Sequence, residues 1–408
     1  MNKKMFIYGF TGMIVMVSMV LFLFSRNTVT SCEQGIDPIL IFICGDVMLG
    51  RGIDQILPHP CNPVIHESYM KSAKGYVEIA EEVNGPIPKP VSFSYIWGDA
   101  LEELEKIQPD VRIINLETSI TKSDDYLKYK GIHYRMHPDN IGCLTAAKID
   151  FCSLANNHIL DWGISGLRET LETLQKANVK YAGAGNNLTQ AEAPAIFHVE
   201  KKGRIIVFSF GMATSGVPSG WAATKDKPGV NFLKDLSDNT VQRIKEKIRE
   251  VKKQGDIVVI SIHWGSNWGY QVFSEQIRFA HKLIDEAGVN IIHGHSSHHV
   301  KGIEVYHGQP ILYGCGDFLN DYEGISGYEQ YRDDLSLMYF AGMDPSTGKL
   351  AGMRMVPTQI RHFKVNKAGK KDVLWLEDIL NREGKKFGTR VELNEDNSFS
   401  LLWDDGVK

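Results

Sequence analysis

The amino-acid sequence predicts a layered α/β fold that follows an N-terminal transmembrane helix. Two observations carry this prediction. Short apolar runs alternate with amphipathic helical patterns along most of the chain, and an uncharged apolar stretch lies close to its start. Strands that alternate with helices are typical of α/β proteins. A length of 408 residues suits one large domain with insertions, or two domains.

The first element is the apolar stretch 5–24, which contains no charged residue. At about 1.5 Å per residue it is long enough to cross a bilayer. Lys3 and Lys4 precede it, so the positive-inside rule places the N-terminus in the cytoplasm and the remainder outside the cell. We therefore predict a membrane anchor or signal segment at 1–26, a tether at 27–38, and a single-pass cell-membrane protein with an extracellular C-terminal domain. A secreted protein with a cleaved signal, or a lipoprotein attached at Cys32, are the alternatives.

Charge and cysteine content exclude some classes of function. The net charge of −4 gives no reason to expect nucleic-acid binding. The chain has six cysteines and no CxxC pattern, so a cysteine-based zinc site has no support. Cys44 and Cys315 stand in apolar, strand-like surroundings and are predicted to be small buried hydrophobic residues.

The elements after the tether follow from hydrophobic periodicity. Apolar runs predict strands within 39–49, 111–117, 148–158, 204–211, 256–265, 289–295, 309–318 and 335–340. Apolar residues at helical spacing predict helices at about 164–174, 238–253 and 274–287. Residues 52–92 show no clean period and predict an insertion or mobile loop, and 365–408 predicts a peripheral helix and strand pair. The Gly/Pro-rich loop 213–230, which carries Trp221, either covers a site or is a surface excursion.

Polar residues follow five of the apolar strands. They are Asp46, Glu117, Asn157 with His158, His263, and His295 with His298. In α/β sheets, ligands gather outside the carboxyl ends of strands, so these residues can meet at one edge. Each has an ordinary reading as a turn cap, an ion pair or a packed imidazole. The combination is stronger than its parts, because every member follows an apolar strand.

The mixture of carboxylate, amide oxygen and imidazole predicts a metal site. These ligands suit zinc, iron, manganese or nickel, whereas calcium prefers oxygen ligands alone. Glu117 could bridge two ions, and a pair of metals would clamp the attacking and leaving oxygens of a displacement. A purely structural metal is the weaker alternative, because closed structural sites prefer four Cys or His ligands.

The blocks "GDVMLGR", "NLETSIT", "SLANNHILDWG", "SIHWG" and "GHSSHHVKGIEVYHGQPILYGCGDFLND" resemble those of the bacterial CapA family, in the same order. These are capsule-synthesis and poly-γ-glutamate-synthesis proteins related to the calcineurin-like metallophosphoesterases. The resemblance covers residues 39–358 and leaves 359–408 as a C-terminal extension. It implies a four-layer αββα sandwich around a two-metal site, and involvement in extracellular poly-γ-glutamate.

The resemblance also implies roles for individual residues. The positions that match metal ligands are Asp46, Glu117, Asn157, His263, His295 and His298. His158 matches the histidine that protonates or stabilises the leaving group, and Arg51, which ends the first block, would hold an anionic substrate. The chain departs from the phosphoesterases at Met48, where they have histidine, and at Glu117, where they have aspartate. Asp317 stands where asparagine is usual in the family, and we expect it to cap a turn.

Two functions follow from these residues. The first is a cell-surface hydrolase in which one or two Mn, Fe or Zn ions activate water toward a phosphoester or a γ-glutamyl amide, with His158 as the acid. The second is a non-catalytic accessory subunit for polymer assembly or export, which the missing histidine at Met48 favours. The predicted partners are the membrane through residues 5–24, a polyanionic polymer or phosphoester, and other capsule-synthesis subunits. A basic groove would use Arg51, Lys128, Lys130 and Arg135, unless the last three are solvated surface charges.

Overall fold

Two large sheets carry most of the folded chain, and a computed structural model describes residues 37–404. The strands are β1 (Ile39–Val47), β2 (Val111–Leu116), β3 (Ser119–Ile120), β4 (Arg135–Met136), β5 (Phe151–Ser153), β6 (Lys180–Ala182), β7 (Ala184–Gly185), β8 (Ala195–Val199), β9 (Gly203–Met212), β10 (Gly229–Val230), β11 (Phe232–Leu233), β12 (Ile257–His263), β13 (Ile291–His295), β14 (Ile303–Tyr306), β15 (Gln309–Leu312), β16 (Asp317–Leu319), β17 (Leu335–Met343), β18 (Leu350–Ile360), β19 (Val365–Lys367), β20 (Thr389–Leu393) and β21 (Phe399–Trp403). The helices are α1 (Gly52–Ile56), α2 (Lys74–Asn84), α3 (Ala100–Ile107), α4 (Gly142–Ala146), α5 (Gly163–Lys176), α6 (Leu188–Glu192), α7 (Asp238–Val251), α8 (Ser274–Ala287) and α9 (Lys370–Gly384).

The first sheet has ten strands and mixes parallel and antiparallel pairs. Its order is β20-β21-β18-β17-β1-β2-β5-β6, with β16 on β1 and β19 on β18. The neighbours β1, β2, β5 and β6 run parallel, whereas β17, β18, β21 and β20 pair antiparallel. The short strand β16 runs parallel to β1 and pairs Asp317 with Asp46. This register brings two carboxylates from distant parts of the chain side by side.

The second sheet has seven strands in the order β11-β9-β12-β13-β15-β14, with β8 on β9. Its central strands β9, β12, β13 and β15 are parallel. Two further sheets have two strands each, β10-β7 and β3-β4. Both faces of parallel central strands are covered, and β12 and β13 are accordingly buried throughout, including their serine and histidine residues.

Three apolar clusters hold the two large sheets and the helices together. One cluster lies between the sheets and joins Ile41 and Ile113 of the first sheet to Val207 and Val259 of the second. A second cluster packs α1 to α5 on the other face of the first sheet. The third packs α7 and α8 on the other face of the second sheet. Burying apolar surface in these layers supplies the main driving force of folding.

The three helices predicted from apolar spacing are present as α5, α7 and α8. Helix α7 begins where Ser237 Oγ accepts a hydrogen bond from Thr240 N, and helix α8 ends at Gly288, whose φ is +70°. Residues 52–92 differ from the predicted insertion or mobile loop, because they contain α1 and α2. Helix α2 buries only Tyr76, Val77 and Ala80, and this short apolar stripe explains why no clean period stands out.

The predicted fold class, a four-layer αββα sandwich with an N-terminal transmembrane helix, is wrong in that form. The described residues form a mixed α/β fold with four sheets. Helix α9 does not cover an outer face, because its apolar side joins the cluster between the two large sheets. The longest helix within 37–404 is α9, and its 15 residues span about 22 Å, short of the roughly 30 Å of a bilayer core.

The predicted single-pass location at the cell membrane is corrected by a related finding. None of the helices between residues 37 and 404 combines the length and the apolar character that crossing a membrane requires. The predicted span 5–24, the anchor segment 1–26 and Cys32 lie outside the described residues. Cys44 and Cys315 are buried and free, which confirms that they are small buried hydrophobic residues.

Gly45 sits where β1 meets the segment before β16, and its replacement by alanine is expected to be strongly destabilising. A Cβ atom there would lie 1.7 Å from the carbonyl oxygen of Gly316. The two backbones would have to separate, although the neighbouring Asp46 N donates to that same oxygen at 2.9 Å. Overpacking a protein core typically costs about 1–3 kcal/mol, and we expect Gly45→Ala to lower the free energy of unfolding by at least that much.

Chemical denaturation would measure this effect against Gly352→Ala in β18. A Cβ at Gly352 meets nothing within 4 Å, so that variant should match the wild type. Equal stability of both variants would show that the two backbones are not closely packed at Gly45.

Candidate metal centre

The carboxyl ends of β1, β2, β12 and β13 meet at one edge of the two sheets. Asp46 lies near the end of β1, Glu117 directly follows β2, and His263 and His295 are the last residues of β12 and β13. The parallel register pairs His263 with His295 across the second sheet. All four residues are buried. The structure therefore brings together residues that are up to 249 positions apart, as the strand-end argument predicts.

One set of donor atoms comes from Asp46, His263 and His295. One ligand atom from each of the three lies within 4.8 Å of the others. His263 Nδ1 and His295 Nδ1 are 2.8 Å apart, and Asp46 Oδ1 is 3.9 Å from His295 Nδ1. Ser261 Oγ lies 3.0 Å from His295 Nε2 and fixes the orientation of that ring. Two imidazoles and a carboxylate form a donor set that suits a transition metal.

A second set of donor atoms comes from Asp46, His298 and Asp317. These atoms also lie within 4.8 Å of one another. Asp317 Oδ1 is 2.9 Å from His298 Nδ1, while Asp317 Oδ2 accepts a hydrogen bond from Asn320 Nδ2 at 2.8 Å. Asp317 is expected to cap a turn, and its Oδ2 contacts Asn320. Its other oxygen, Oδ1, faces His298. Asp46 belongs to both sets, and it occupies the shared position that the sequence hypothesis gave to Glu117.

Glu117 and Asn157 complete the edge beside the first donor set. Glu117 Oε1 lies 4.0 Å from His263 Nε2, and Asn157 Oδ1 lies 3.0 Å from the same nitrogen. The buried Asn115 links the two carboxylates, because its Nδ2 donates to Asp46 Oδ1 at 2.7 Å and to Glu117 Oε2 at 3.3 Å. Sequence reasoning missed Asn115, although a polar residue inside the apolar run "VRIINLE" was a usable signal.

Burial displaces the pKa values of Asp46, Glu117, His263 and His295 toward their neutral forms, whereas, against the effect of burial, Asp317 raises the pKa of His298. Burial raises the pKa of Asp46 to about 7, and the neighbouring Asp317 adds to this rise. Burial, together with Asp46 and Asp317, raises the pKa of Glu117 well above its ordinary value. Burial also lowers the pKa values of His263 and His295, assisted by nearby histidines. Bound cations would supply the missing positive charge, so the described donor groups fit a metal centre.

His158 lies at the rim of this edge with its two ring nitrogens in different surroundings. Its Nε2 is 3.7 Å from Glu117 Oε1, and its Nδ1 is 2.6 Å from Asp161 Oδ2. Burial lowers the pKa of His158 to about 4, although Asp161 acts in the opposite direction. A carboxylate only accepts hydrogen bonds, so it orients the imidazole through Nδ1–H and leaves Nε2 toward the centre. Sequence reasoning missed Asp161.

Arg51, predicted to hold an anionic substrate, lies in a closed network of buried partners, and its substrate-binding role stays a prediction. Its Nε and Nη2 donate to the two carboxylate oxygens of Asp321 at 3.1 and 2.5 Å, and its Nη1 donates to Glu67 Oε1 at 3.1 Å. The guanidinium also lies over the rings of Tyr76 and Tyr134, with its carbon 3.8 and 4.5 Å from their centroids. The side chain is 1% exposed, so two carboxylates and two rings surround this cation.

Further side chains near these strand ends divide between the centre and its surroundings. Arg135 is turned away, because it pairs with Asp124 and its guanidinium stacks over Trp162. Trp264 is buried in the core, whereas the ring of Trp268 lies 5.2 Å from that of His298. Three further residues have partners within the fold. His293 Nε2 lies 2.8 Å from Cys44 O, and the ring of His299 packs edge-on against Tyr270. Met48 Sδ accepts a hydrogen bond from the Tyr322 hydroxyl at 3.7 Å.

Comparison with known proteins gives consistent matches over most of the chain. A family model described as "Bacterial capsule synthesis protein PGA_cap" matches residues 40–322. A protein of Mycobacterium tuberculosis strain H37Rv named "Probable polyglutamine synthesis accessory protein" is 46% identical over 367 residues, which are 90% of this chain and 96% of that protein. The "PGA biosynthesis protein CapA" of Bacillus subtilis is 30% identical over 293 residues, 72% of this chain and 70% of that protein. The "Capsule biosynthesis protein CapA" of Bacillus anthracis is 26% identical over 298 residues, 72% of this chain and 62% of that protein.

Proposed function

The chain belongs to the PGA_cap family of bacterial capsule synthesis proteins, and we propose that it serves poly-γ-glutamate synthesis through a metal-dependent hydrolytic centre. One observation carries the proposal: Asp46 is shared by two donor sets, and the Nε2 atom of His158 faces the same edge. Two neighbouring cation positions with an oriented imidazole beside them form an arrangement suited to hydrolysis.

The residues divide the proposed metal positions into two kinds. His263 and His295 would hold one ion with Asp46, and His298 and Asp317 would hold the other with Asp46. The first set is richer in nitrogen and the second is richer in oxygen. Manganese, iron and zinc all accept such mixtures of imidazole and carboxylate. When bound, these ions would lower the pKa of water and neutralise charge that develops on the substrate.

The protein's own groups would orient the reactants and move a proton. Asp161 holds the His158 ring at Nδ1, so Nε2 is the atom that would give or take a proton at the centre. Asn115 fixes the carboxylates of Asp46 and Glu117 through its amide. Substrate oxygens would approach the shared edge, where the bond to be cleaved is either a phosphoester or a γ-glutamyl amide. In either case Nε2 of His158 would take a proton from the attacking water and return it to the oxygen or nitrogen that leaves.

A non-catalytic accessory role in assembly or export of the polymer is the second candidate. The name of the Mycobacterium tuberculosis relative, which includes the words "accessory protein", favours it. The presence of Met48 two residues after Asp46 also favours it. In that role the metal centre would bind carboxylates of the polymer without cleaving it, and other capsule-synthesis subunits would be the partners.

Metal content and turnover, measured on the same samples, distinguish these functions. We expect about two bound transition-metal ions per chain, and hydrolysis of either a chromogenic phosphodiester or a γ-glutamyl anilide. His158→Gln should lower turnover by roughly 10²–10⁴-fold and leave the metal content unchanged, because His158 moves a proton rather than holding a metal. His307→Gln, a substitution of an exposed histidine, is the matched control and should behave as the wild type.

The outcomes have distinct meanings. Bound metal without hydrolysis of either bond would overturn the enzyme and leave the accessory role. A folded protein that takes up no metal from solutions of Mn²⁺, Fe²⁺ or Zn²⁺ would overturn the metal centre itself.

A further inference from the structure

The loop 121–133 brings one lysine into the candidate centre. Tyr129 on this loop is fully exposed, whereas the side chain of the next residue, Lys130, is only 18% exposed. Burying an ammonium group is costly unless it is paired and hydrogen-bonded. The inward turn of Lys130 therefore requires partners inside the fold, unlike the solvated surface charge that the sequence allowed.

The partners of Lys130 are the two residues that form the histidine–carboxylate pair. Its Nζ makes an ion pair with Asp161 Oδ1 and lies 2.9 Å from His158 Nδ1. The other carboxylate oxygen, Asp161 Oδ2, lies 2.6 Å from His158 Nδ1 and accepts a hydrogen bond from Tyr134 N at 2.7 Å. Both oxygens of Asp161 are therefore engaged, and the carboxylate cannot rotate without losing at least one of these contacts.

The proton on the imidazole follows from these contacts. Asp161 Oδ2 only accepts hydrogen bonds, and at 2.6 Å from His158 Nδ1 it requires a proton on that nitrogen, because a lone pair there would face the carboxylate. The ammonium of Lys130 only donates, so its hydrogens are directed to Asp161 Oδ1, and its 2.9 Å approach to the protonated Nδ1 is a contact and not a hydrogen bond. The Nε2 atom keeps its lone pair and faces Glu117 Oε1 at 3.7 Å. The edge of the Tyr134 ring, with a centroid 4.4 Å from that of His158, limits rotation of the imidazole.

The other cations considered for this edge are engaged elsewhere. Arg51 is held by Asp321 and Glu67, and Arg135 pairs with Asp124. The loop 213–230 approaches Lys130, since the ring of Trp221 is centred 5.9 Å from its Nζ. Burial lowers the pKa of Lys130, although Asp161 and Glu117 act in the opposite direction.

We propose that Lys130 is a positioning residue, whose ammonium holds Asp161 so that His158 keeps its proton on Nδ1 and directs Nε2 toward the metal centre. The functional meaning of this arrangement rests on the proposed hydrolytic centre. The tautomer and orientation of the His158 ring can be measured without any turnover.

Imidazole ¹⁵N correlation spectra of the full-length protein, labelled at histidine, test the proposal in the metal-free and zinc-loaded states. His158→Gln assigns the resonances of His158 by their loss. The wild type should show His158 as a single Nδ1-protonated tautomer. Lys130→Met removes the ammonium at nearly constant length and should give a mixture of tautomers or an averaged signal. Lys130→Arg keeps the charge and should retain the wild-type tautomer, as should Lys128→Met, which removes a lysine two residues away on the same loop.

An unchanged single tautomer in Lys130→Met would overturn the proposal. If Lys130→Met does not fold, as judged by thermal melting, Asp161→Asn provides the second test, because it removes the carboxylate that transmits the effect. An Asp161→Asn protein that keeps the Nδ1 proton in place would also overturn the proposal. Metal content, measured on the same samples, reports separately on the proposed function, so a centre without metal and a mispositioned His158 are distinguishable failures.

Discussion

Replacing Asp46 with alanine is expected to remove both metal ions from the proposed centre. Asp46 is the carboxylate common to the two donor sets, so its loss leaves His263 and His295 as one pair and His298 and Asp317 as another. Each remaining pair has lost the Asp46 carboxylate, which is the ligand that the two proposed metal positions share. Because even the outer partners of metal ligands contribute about 10–100-fold to affinity, the loss of a shared ligand should exceed 100-fold at both positions.

Elemental analysis of the purified full-length protein would measure this effect after dialysis against a fixed low concentration of zinc. The matched variants each disturb one set only: His295→Ala should lose one ion per chain, and Asp317→Asn should lose the other. An Asp46→Ala protein that still binds one ion, beside a Glu117→Gln protein that binds none, would identify Glu117 as the shared ligand. That result would restore the hypothesis drawn from the sequence.

Hydrophobic periodicity was sufficient to predict the central strands and three helices, because those elements are long and have a continuous buried face. Helix α8, for example, has the bounds 274–287 that its apolar residues indicate. The same reasoning failed for residues 52–92, where α2 buries a short stripe among Gly, Pro and charged residues. The predicted layering came from the family resemblance and not from the period, and neither shows that the apolar side of α9 joins the cluster between the sheets. Packing partners are a tertiary property that a local period does not contain.

The placement of candidate ligands was most directly predictable where a residue follows a long apolar strand. The ends of β1, β2, β12 and β13 gave Asp46, Glu117, His263 and His295, and the structure brings them together. Asp317 follows a weaker run, and its place beside Asp46 depends on the pairing of the three-residue strand β16 with β1. The metal-binding roles of all these residues stay predictions.

The residues that orient the site were harder to predict because their partners are distant or lie on loops. Asp161 stands three residues after His158 in a turn, where a carboxylate is equally common as a cap. Lys130 is drawn inward from a loop whose neighbouring side chains face solvent. Arg51 is a further case, because its position at the end of a motif block suggests substrate binding, and that role stays a prediction. Its partner Asp321 is 270 residues away in the sequence, and no local pattern predicts that contact.

Substituting methionine for Arg51 is therefore expected to lower stability far more than it changes the metal centre. The guanidinium is the donor that satisfies Asp321 and Glu67, which are both fully buried in the fold. Removing one partner of a buried ion pair leaves an uncompensated charge and costs about 3–5 kcal/mol. The free energy of unfolding of Arg51→Met should fall by that amount, as measured by denaturant titration of the full-length protein.

The matched control for Arg51→Met is Lys148→Met, which breaks the ion pair with Glu105. Both side chains of that pair are about two-thirds exposed, so water replaces the lost partner and the cost should stay below about 1 kcal/mol. A guanidinium that bound substrate would give a different result, because its loss would weaken binding and leave stability nearly intact. If Arg51→Met melts like the wild type, the closed network of Asp321, Glu67 and the tyrosine rings does not stabilise the fold. The arginine would then be available for the anionic group that the sequence assigns to it.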